Sequence, residues 1–106
     1  MAISNTLVTA SNSVMYTSSG ANAISAIIIC NYGASTSNLT LYAVPSAEVS
    51  GTTTQSKHTI ISALPIPAGE TVSLDQEKLV LANGDTLIAI ASLASMLTLT
   101  ISTLAV

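Results

Sequence analysis

The side chains that could carry chemistry are few and stand far apart along the chain. Five acids, two lysines and one histidine are spread over 106 residues. A nucleophile needs a neighbouring base to activate it, and His58 is the only histidine. His58 follows Lys57 and has no Asp or Glu within eight residues on either side. We therefore expect a solvated histidine at the edge of a loop, and no enzymatic activity.

The sequence also offers few side chains that could bind a metal or a cofactor. One histidine and one cysteine cannot supply an ordinary zinc site. Asp75 and Glu77 would share one face of a strand, which could suit acid–base chemistry or calcium. Because Lys78 adjoins them, a solvated acidic turn is the preferred interpretation. The sequence predicts no catalytic centre, no metal and no cofactor.

The composition favours a protein whose surface is covered by other subunits. Charged residues make up 7% of the chain, against roughly a quarter in a typical soluble domain. Sixteen serines and fourteen threonines supply the missing polarity. Such a surface is hydrated but repels its own copies weakly, because the net charge is only −3. A net-negative chain with two lysines cannot neutralise several phosphates, which argues against a nucleic-acid partner.

The last twenty residues, 87–106, carry no charge and are long enough to cross a bilayer. Leu97-Thr98-Leu99-Thr100-Ile101-Ser102, however, alternates with the period of two that is typical of a half-buried strand. No Lys, Arg, Trp or Tyr marks a membrane interface at either end of this segment. A C-terminal strand is therefore preferred to a membrane anchor.

Strand patterns recur along the whole chain, and no helical period of useful length is present. They predict one all-β domain over 1–106, an antiparallel two-sheet β-sandwich of eight or nine strands, with jelly-roll and Ig-like topologies both open. Residues 1–9 could form an edge strand or an arm that contacts a neighbour. The predicted strands are 3–9, 13–17, 23–32, 38–44, 57–64, 71–74, 78–81, 86–91 and 97–104.

Several finer expectations concern how these strands pair. The apolar run in 23–32 predicts a central strand buried on both faces, with Cys30 a small buried thiol. This strand should form a hairpin with 38–44, and Asn83-Gly84 should turn a second hairpin. The last two strands should form a third. Pro65 and Pro67 should end the strand that begins at Lys57.

Three segments resemble small bacteriophage virion proteins of the capsid decoration (cement) or tail-associated β-sandwich kind. They are Asn38-Leu39-Thr40-Leu41-Tyr42-Ala43-Val44-Pro45, Ala68-Gly69-Glu70-Thr71-Val72-Ser73-Leu74, and Lys78-Leu79-Val80-Leu81-Ala82-Asn83-Gly84-Asp85-Thr86. The ending, alternating Thr with aliphatic residues, is also similar. The chain departs from the family pattern at 46–56, where Glu48 and Val49 stand in place of glycines.

The resemblance implies a non-enzymatic virion protein, assembled in the cytoplasm of a bacterial host. A capsid decoration subunit that stabilises the phage head is the leading hypothesis. It implies a homo-oligomer, more often a trimer, that contacts the major capsid protein, with no nucleic acid or membrane. The alternative is a tail, baseplate, neck or fibre component, including a receptor- or carbohydrate-binding module. The expected contact residues lie in 1–9 and in or beside the loop 46–56; they are Ile3, Leu7, Glu48, Val49, Thr53 and His58.

Overall fold

A computed structural model describes residues 2–74 and 79–105. The described residues form nine strands and two short 3₁₀ helices, and they contain no α-helix. The strands are β1 (Ala2–Val8), β2 (Ser13–Thr17), β3 (Asn22–Asn31), β4 (Ser37–Val44), β5 (Thr59–Ile66), β6 (Thr71–Leu74), β7 (Leu79–Leu81), β8 (Thr86–Ala91) and β9 (Leu97–Ala105); the 3₁₀ helices are Ser46–Glu48 and Ser56–His58.

The strands form two antiparallel sheets that pack face to face. The five-stranded sheet has the order β1-β9-β3-β6, and β7 also pairs with β3. The four-stranded sheet has the order β2-β8-β4-β5. Only β4 and β5 are neighbours in both the chain and a sheet, so nearly every connection passes from one sheet to the other. This order is that of a jelly roll, which resolves the topology that the sequence left open.

The core lies between the sheets and is filled by the alternate residues that point inward. In β9, the inward residues Leu97, Leu99 and Ile101 are at most 1% exposed. In β3, Ile24, Ile27 and Ile29 are buried in the same way, and a register shift between Ile24 and Ala26 keeps the later residues pointing inward. Leu39 and Leu41 of β4 pack against them from the facing sheet.

The expected hairpin between β3 and β4 is wrong, because these strands lie in different sheets. Asn31, at the end of β3, is fully buried, and its side chain holds the connection that leads from one sheet to the other. Its Nδ2 donates to the carbonyl oxygens of Ser35 at 2.9 Å and Ile66 at 2.8 Å, and its Oδ1 accepts from the Gly33 N–H. The side chain thus joins the turn to β5 of the other sheet and leaves no buried polar atom unpaired.

The Asn83-Gly84 turn does not form a hairpin either, since β7 pairs with β3 while β8 pairs with β2 and β4. Gly84 has φ of 89°, but Asn83 is not among the residues with positive φ. Positive φ at the second central residue alone indicates a type II turn, whereas a two-residue hairpin of type I′ needs it at both. Asp85 fixes the turn by accepting from the N–H groups of Ala82 and Ser46.

The last two strands are not a hairpin, because β8 belongs to the four-stranded sheet and β9 to the five-stranded sheet. The connection between them is hydrogen-bonded to the start of β4. The Asn38 N–H donates to Ser92 Oγ, and the Ser92 N–H donates to the Asn38 carbonyl. The Leu93 N–H donates to Ser37 Oγ. These bonds carry the chain across the end of the sandwich.

The fifth strand continues to Ile66 and includes Pro65, so the expectation that Pro65 ends it is wrong. Proline is tolerated there because β5 is the last strand of its sheet and one of its sides has no partner strand. The pairing of β5 with β4 shifts register twice, and Ala63 has φ of 48°. This edge is therefore irregular as well as interrupted by proline.

The uncharged C-terminal segment forms the strands β8 and β9 within the sandwich. Its hydroxyl side chains at Thr98, Thr100 and Ser102 point outward and are partly exposed. Within the part of the chain that the structure describes, no helix is long and apolar enough to cross a membrane.

Candidate assembly surfaces

The segment 45–58 crosses the outer face of the four-stranded sheet. It leaves the end of β4 and returns to the start of β5, which is the neighbour of β4. Between these points it reaches Asn12, just before β2 on the far side of β8. Asn12 Nδ2 donates to the Thr52 carbonyl at 3.1 Å and to Thr54 Oγ1 at 3.2 Å. The segment must therefore pass over β8.

Two outward-pointing side chains are buried under this crossing segment. Ile88 of β8 and Val44 of β4 alternate away from the core, yet they are 0% and 1% exposed. Ile88 lies opposite Tyr42 on one side and Val14 on the other. The crossing segment accounts for the burial of Ile88, so the loop expected at 46–56 lies against the sheet. Val14, at the end of this row, stays 41% exposed, and of the segment's own residues only Thr54 and His58 are not exposed.

Glu48, near the start of the crossing segment, is bound to Lys57 and His58 at its end. Glu48 Oε1 lies 2.7 Å from Lys57 Nζ and 3.1 Å from His58 Nε2. The Gln55 N–H donates to His58 Nδ1 at 3.1 Å, which places the imidazole proton on Nε2, where it donates to Glu48. The hydrogen bonds from Lys57 and His58 hold the pKa of Glu48 below its ordinary value of 4.5.

His58 is 5% exposed, so the expectation of a solvated histidine is wrong. Its carboxylate partner lies ten residues away along the chain, and the crossing segment brings the two together. No hydroxyl or thiol is among the groups hydrogen-bonded to its ring. Both ring nitrogens are occupied by hydrogen bonds that close the segment, which is a structural use of the side chain.

The other two contact residues expected in this region lie on the outside of the crossing segment. Val49 is 38% exposed, and Thr53 is exposed beside the turn in which its N–H donates to the Ser50 carbonyl. Glu48, Val49 and Thr53 thus present parts of one surface, over the four-stranded sheet. Ile3 and Leu7 lie on the opposite side of the sandwich. The structure therefore divides five of the six expected contact residues between two surfaces and buries the sixth, His58.

The second surface is the outer face of the five-stranded sheet, which we call the outer A face. Its residues, among those that the structure describes, lie in four rows across the strands, given by the pairing register, and no residue of these rows is charged. The rows are Leu104-Ala23-Val80, Ile3-Ser102-Ala26, Asn5-Thr100-Ile28-Ser73 and Leu7-Thr98-Cys30-Thr71.

Large aliphatic side chains are exposed across the outer A face. Ile3 and Val80 are each 69% exposed, Leu104 is 49%, Leu7 is 44% and Ile28 is 38%. The expectation that β3 is buried on both faces is therefore wrong, since Ile28 on its outward side is exposed and no described segment covers this face. Cys30 is likewise only partly buried, on the outer A face.

An apolar cavity of about 400 Å³ opens between the sheets beside β5. Its described lining is aliphatic: Ile27, Leu41, Ile60, Ile61, Leu74 and Leu79. Among residues 2–74 and 79–105, no three His, Cys, Asp or Glu side chains come together as a metal site would require. Asp75 and Glu77, the acidic pair considered from the sequence, lie outside the described residues.

Sequence reasoning identified Ile3 and Leu7 but missed Ile28, Val80 and Leu104, which share the outer A face with them. The available signal was the uninterrupted apolar run of β3, which is too hydrophobic for a strand with one face in water. The Glu48–His58 pair had no local signal, because it depends on the path of the crossing segment. No protein-family model, curated protein or solved structure matches this chain.

Proposed function

We propose that this protein is a non-enzymatic structural subunit of a bacteriophage particle. The leading role is a capsid decoration subunit that stabilises the head by contacting the major capsid protein and other copies of itself. A role in the tail, baseplate, neck or fibre is the second candidate.

The observation that carries the proposal is the uncharged outer A face with its exposed aliphatic side chains. Four strands at about 4.8 Å spacing, and a nine-residue β9 at about 3.4 Å per residue, give roughly 19 by 31 Å. This is about 590 Å² before side-chain relief is counted. A stable interface buries roughly 800 Å² on each partner, so the flat area of this face is about three quarters of one such contact. Several large aliphatic side chains exposed together on one face favour an interaction surface.

Two further features agree with a part of a virion. The segments that resemble phage virion proteins form β4, β6 and β7 with their turns, so the resemblance includes strands of both sheets. The jelly roll is also an architecture that viral capsid proteins use repeatedly. That second argument is an analogy of fold, since unrelated functions share this architecture.

A carbohydrate- or receptor-binding module fits less well. Sugar-binding surfaces in proteins use exposed aromatic rings together with polar groups, since the rings present apolar faces beside polar edges. Tyr32 is 55% exposed, but Tyr16 and Tyr42 are only partly exposed and lie on the four-stranded sheet. The apolar cavity beside β5 offers no convergent polar groups among its described lining residues.

The proposal is tested with purified particles of the phage that encodes this chain. Quantitative mass spectrometry of gradient-purified virions should find the protein at many copies per particle. Heads prepared without the subunit should recover it when purified protein is added, and they should then resist heat or low salt better than untreated heads. Absence of the protein from washed virions, together with no binding to heads or tails, would exclude a structural role in the particle.

A further inference from the structure

Three of the four sheet edges carry features that oppose pairing with another strand. Strand β5 includes Pro65 and shifts register twice against β4. Strand β2 has five residues, with a register shift between Val14 and Tyr16. Beside β3, the described residues form two short strands, β6 of four residues and β7 of three. Short strands, bulges and prolines are the usual protection against edge-to-edge association.

The fourth edge, β1, has none of these features. Ala2–Val8 pairs with β9 over seven consecutive residues without a register shift. It holds no proline, glycine or charged residue. Among the described residues β9 is its only strand partner, so one side of its backbone offers unpaired N–H and C=O groups. A regular, uncharged edge of this length is a template for another strand.

The sequence of β1 identifies which strand would fit. Ala2-Ile3-Ser4-Asn5-Thr6-Leu7-Val8 reads nearly the same in both directions about Asn5: aliphatic, large aliphatic, hydroxyl, amide, hydroxyl, large aliphatic, aliphatic. Two such strands, antiparallel and centred on Asn5, would place each residue opposite one of its own kind. A two-fold interface requires this self-complementarity.

We infer that β1 pairs with β1 of a second copy of this chain, antiparallel about a two-fold axis through Asn5. Ile3 of each copy then lies opposite Leu7 of the other on the outer A face. Both are large aliphatic side chains that are exposed in the single chain, and aliphatic cross-strand pairs stabilise an antiparallel ladder. Asn5 Oδ1 already accepts from Thr100 Oγ1 at 2.8 Å, so its Nδ2 can donate across the axis.

The pairing joins two five-stranded sheets into one ten-stranded sheet and places two outer A faces side by side. The doubled face would offer a larger structure about 1,200 Å² of uncharged surface before side-chain relief is counted. The dimer itself does not depend on the proposed function. Only the binding of the doubled outer A face to a larger structure rests on it. A two-fold pair is also incompatible with a simple trimer, so the symmetry distinguishes it from the trimer that the resemblance implies.

The first test measures the mass of the purified full chain by light scattering over a concentration series. We expect a species of about 21 kDa, twice the 10.7 kDa monomer. Ile3→Lys should raise the dissociation constant by about tenfold or more, because a lysine replaces an aliphatic partner at both symmetric pairs. Val80→Lys is the matched control, since Val80 is equally exposed on the same face and far from β1; it should leave the dimer intact.

A monomer or a trimer for the unaltered chain would overturn the inference, as would an equal effect of the two lysine variants. Equal loss of dimer would mean that the whole outer A face, and not the β1 edge, forms the contact. Binding of the protein to phage heads would still support the proposed function after any of these results.

The second test reads the register by cross-linking in a Cys30→Ser background. Paired residues of an antiparallel ladder have Cβ atoms about 4.5–5.5 Å apart, close to the range of a disulfide. Asn5→Cys should therefore give a covalent dimer under mild oxidation. Ile3→Cys alone should not, because the two copies of that position would lie about 14 Å apart. Adding Leu7→Cys to Ile3→Cys should restore the cross-link. Failure of Asn5→Cys, or cross-linking by Ile3→Cys alone, would contradict the register.

Discussion

The packing of 45–58 over the four-stranded sheet predicts that Ile88→Ala destabilises the domain as strongly as a core mutation. Ile88 points away from the core but is 0% exposed. Replacing a fully buried isoleucine with alanine costs about 2–5 kcal/mol, from lost burial and the cavity that remains. The entropy of unfolding is about 2.1 cal/mol/K per residue, so 106 residues give about 0.22 kcal/mol/K. A cost of 3 kcal/mol therefore lowers Tm by about 13 °C.

The matched control is Ile28→Ala, the same substitution on the outward side of β3, where the side chain is 38% exposed. It should cost about 1–1.5 kcal/mol, less than Ile88→Ala, because more than a third of the side chain is already in water. Urea unfolding followed by far-ultraviolet circular dichroism gives both free energies under identical conditions. If Ile88→Ala costs no more than Ile28→Ala, the segment 45–58 does not cover β8 in solution.

Three further predictions concern the crossing segment and the turns. His58→Ala should lower the free energy of unfolding by about 1–3 kcal/mol, since it removes a buried ring that both accepts and donates; Lys57→Ala, an exposed member of the same cluster, should cost less than about 1 kcal/mol. Glu48→Gln should lower the free energy of unfolding at neutral pH. The difference in this free energy between the variant and the unaltered chain should disappear as the pH falls below 4.5 and through the lower pKa of Glu48 in the folded state, because a carboxyl whose folded pKa is depressed stabilises the fold only while it is ionised. A difference that persists in acid would contradict the ion pair. Gly84→Ala should lower Tm more than Gly20→Ala does, although both glycines have positive φ. Of these two positions, only at Gly84 would a Cβ meet another side chain, Ser46 Cβ at 3.0 Å. Equal decreases in Tm would mean that this close approach is absent.

The strands were predictable from the sequence, because alternation and turn residues are local properties. The alternation of Leu97 to Ser102 gave the correct inward face of β9 as well as its existence. Pro65 misled because the effect of a proline depends on whether the strand lies at an edge, which is decided by the rest of the sheet.

The pairing of the strands was not predictable in the same way. A short polar connection can join neighbours in one sheet or cross between two sheets, and the choice depends on distant partners. Asn31 shows this most clearly, since its side chain binds Ile66 of β5, thirty-five residues away. Asn83-Gly84 correctly predicted a turn. The turn is not the type I′ turn of a two-residue hairpin, because Asn83 does not have positive φ.

The candidate surfaces were predictable only in part. The scarcity of charge and the apolar run of β3 predict a covered surface, and Ile3 and Leu7, which the sequence predicts as contact residues, are both exposed on the outer A face. Which other residues join them depends on the register of β1, β9 and β3. The near-symmetry of the β1 sequence becomes meaningful only once β1 is seen to occupy an unprotected edge.

The most direct test of the proposed role in a bacteriophage particle is electron cryomicroscopy of intact particles of the phage proposed to contain this chain, at a resolution that shows strands. We predict density for this jelly roll at symmetry-related positions on the head, with the outer A face buried against the capsid or against further copies. Particles whose head and tail are fully explained by other proteins, with no density for this chain, would contradict it.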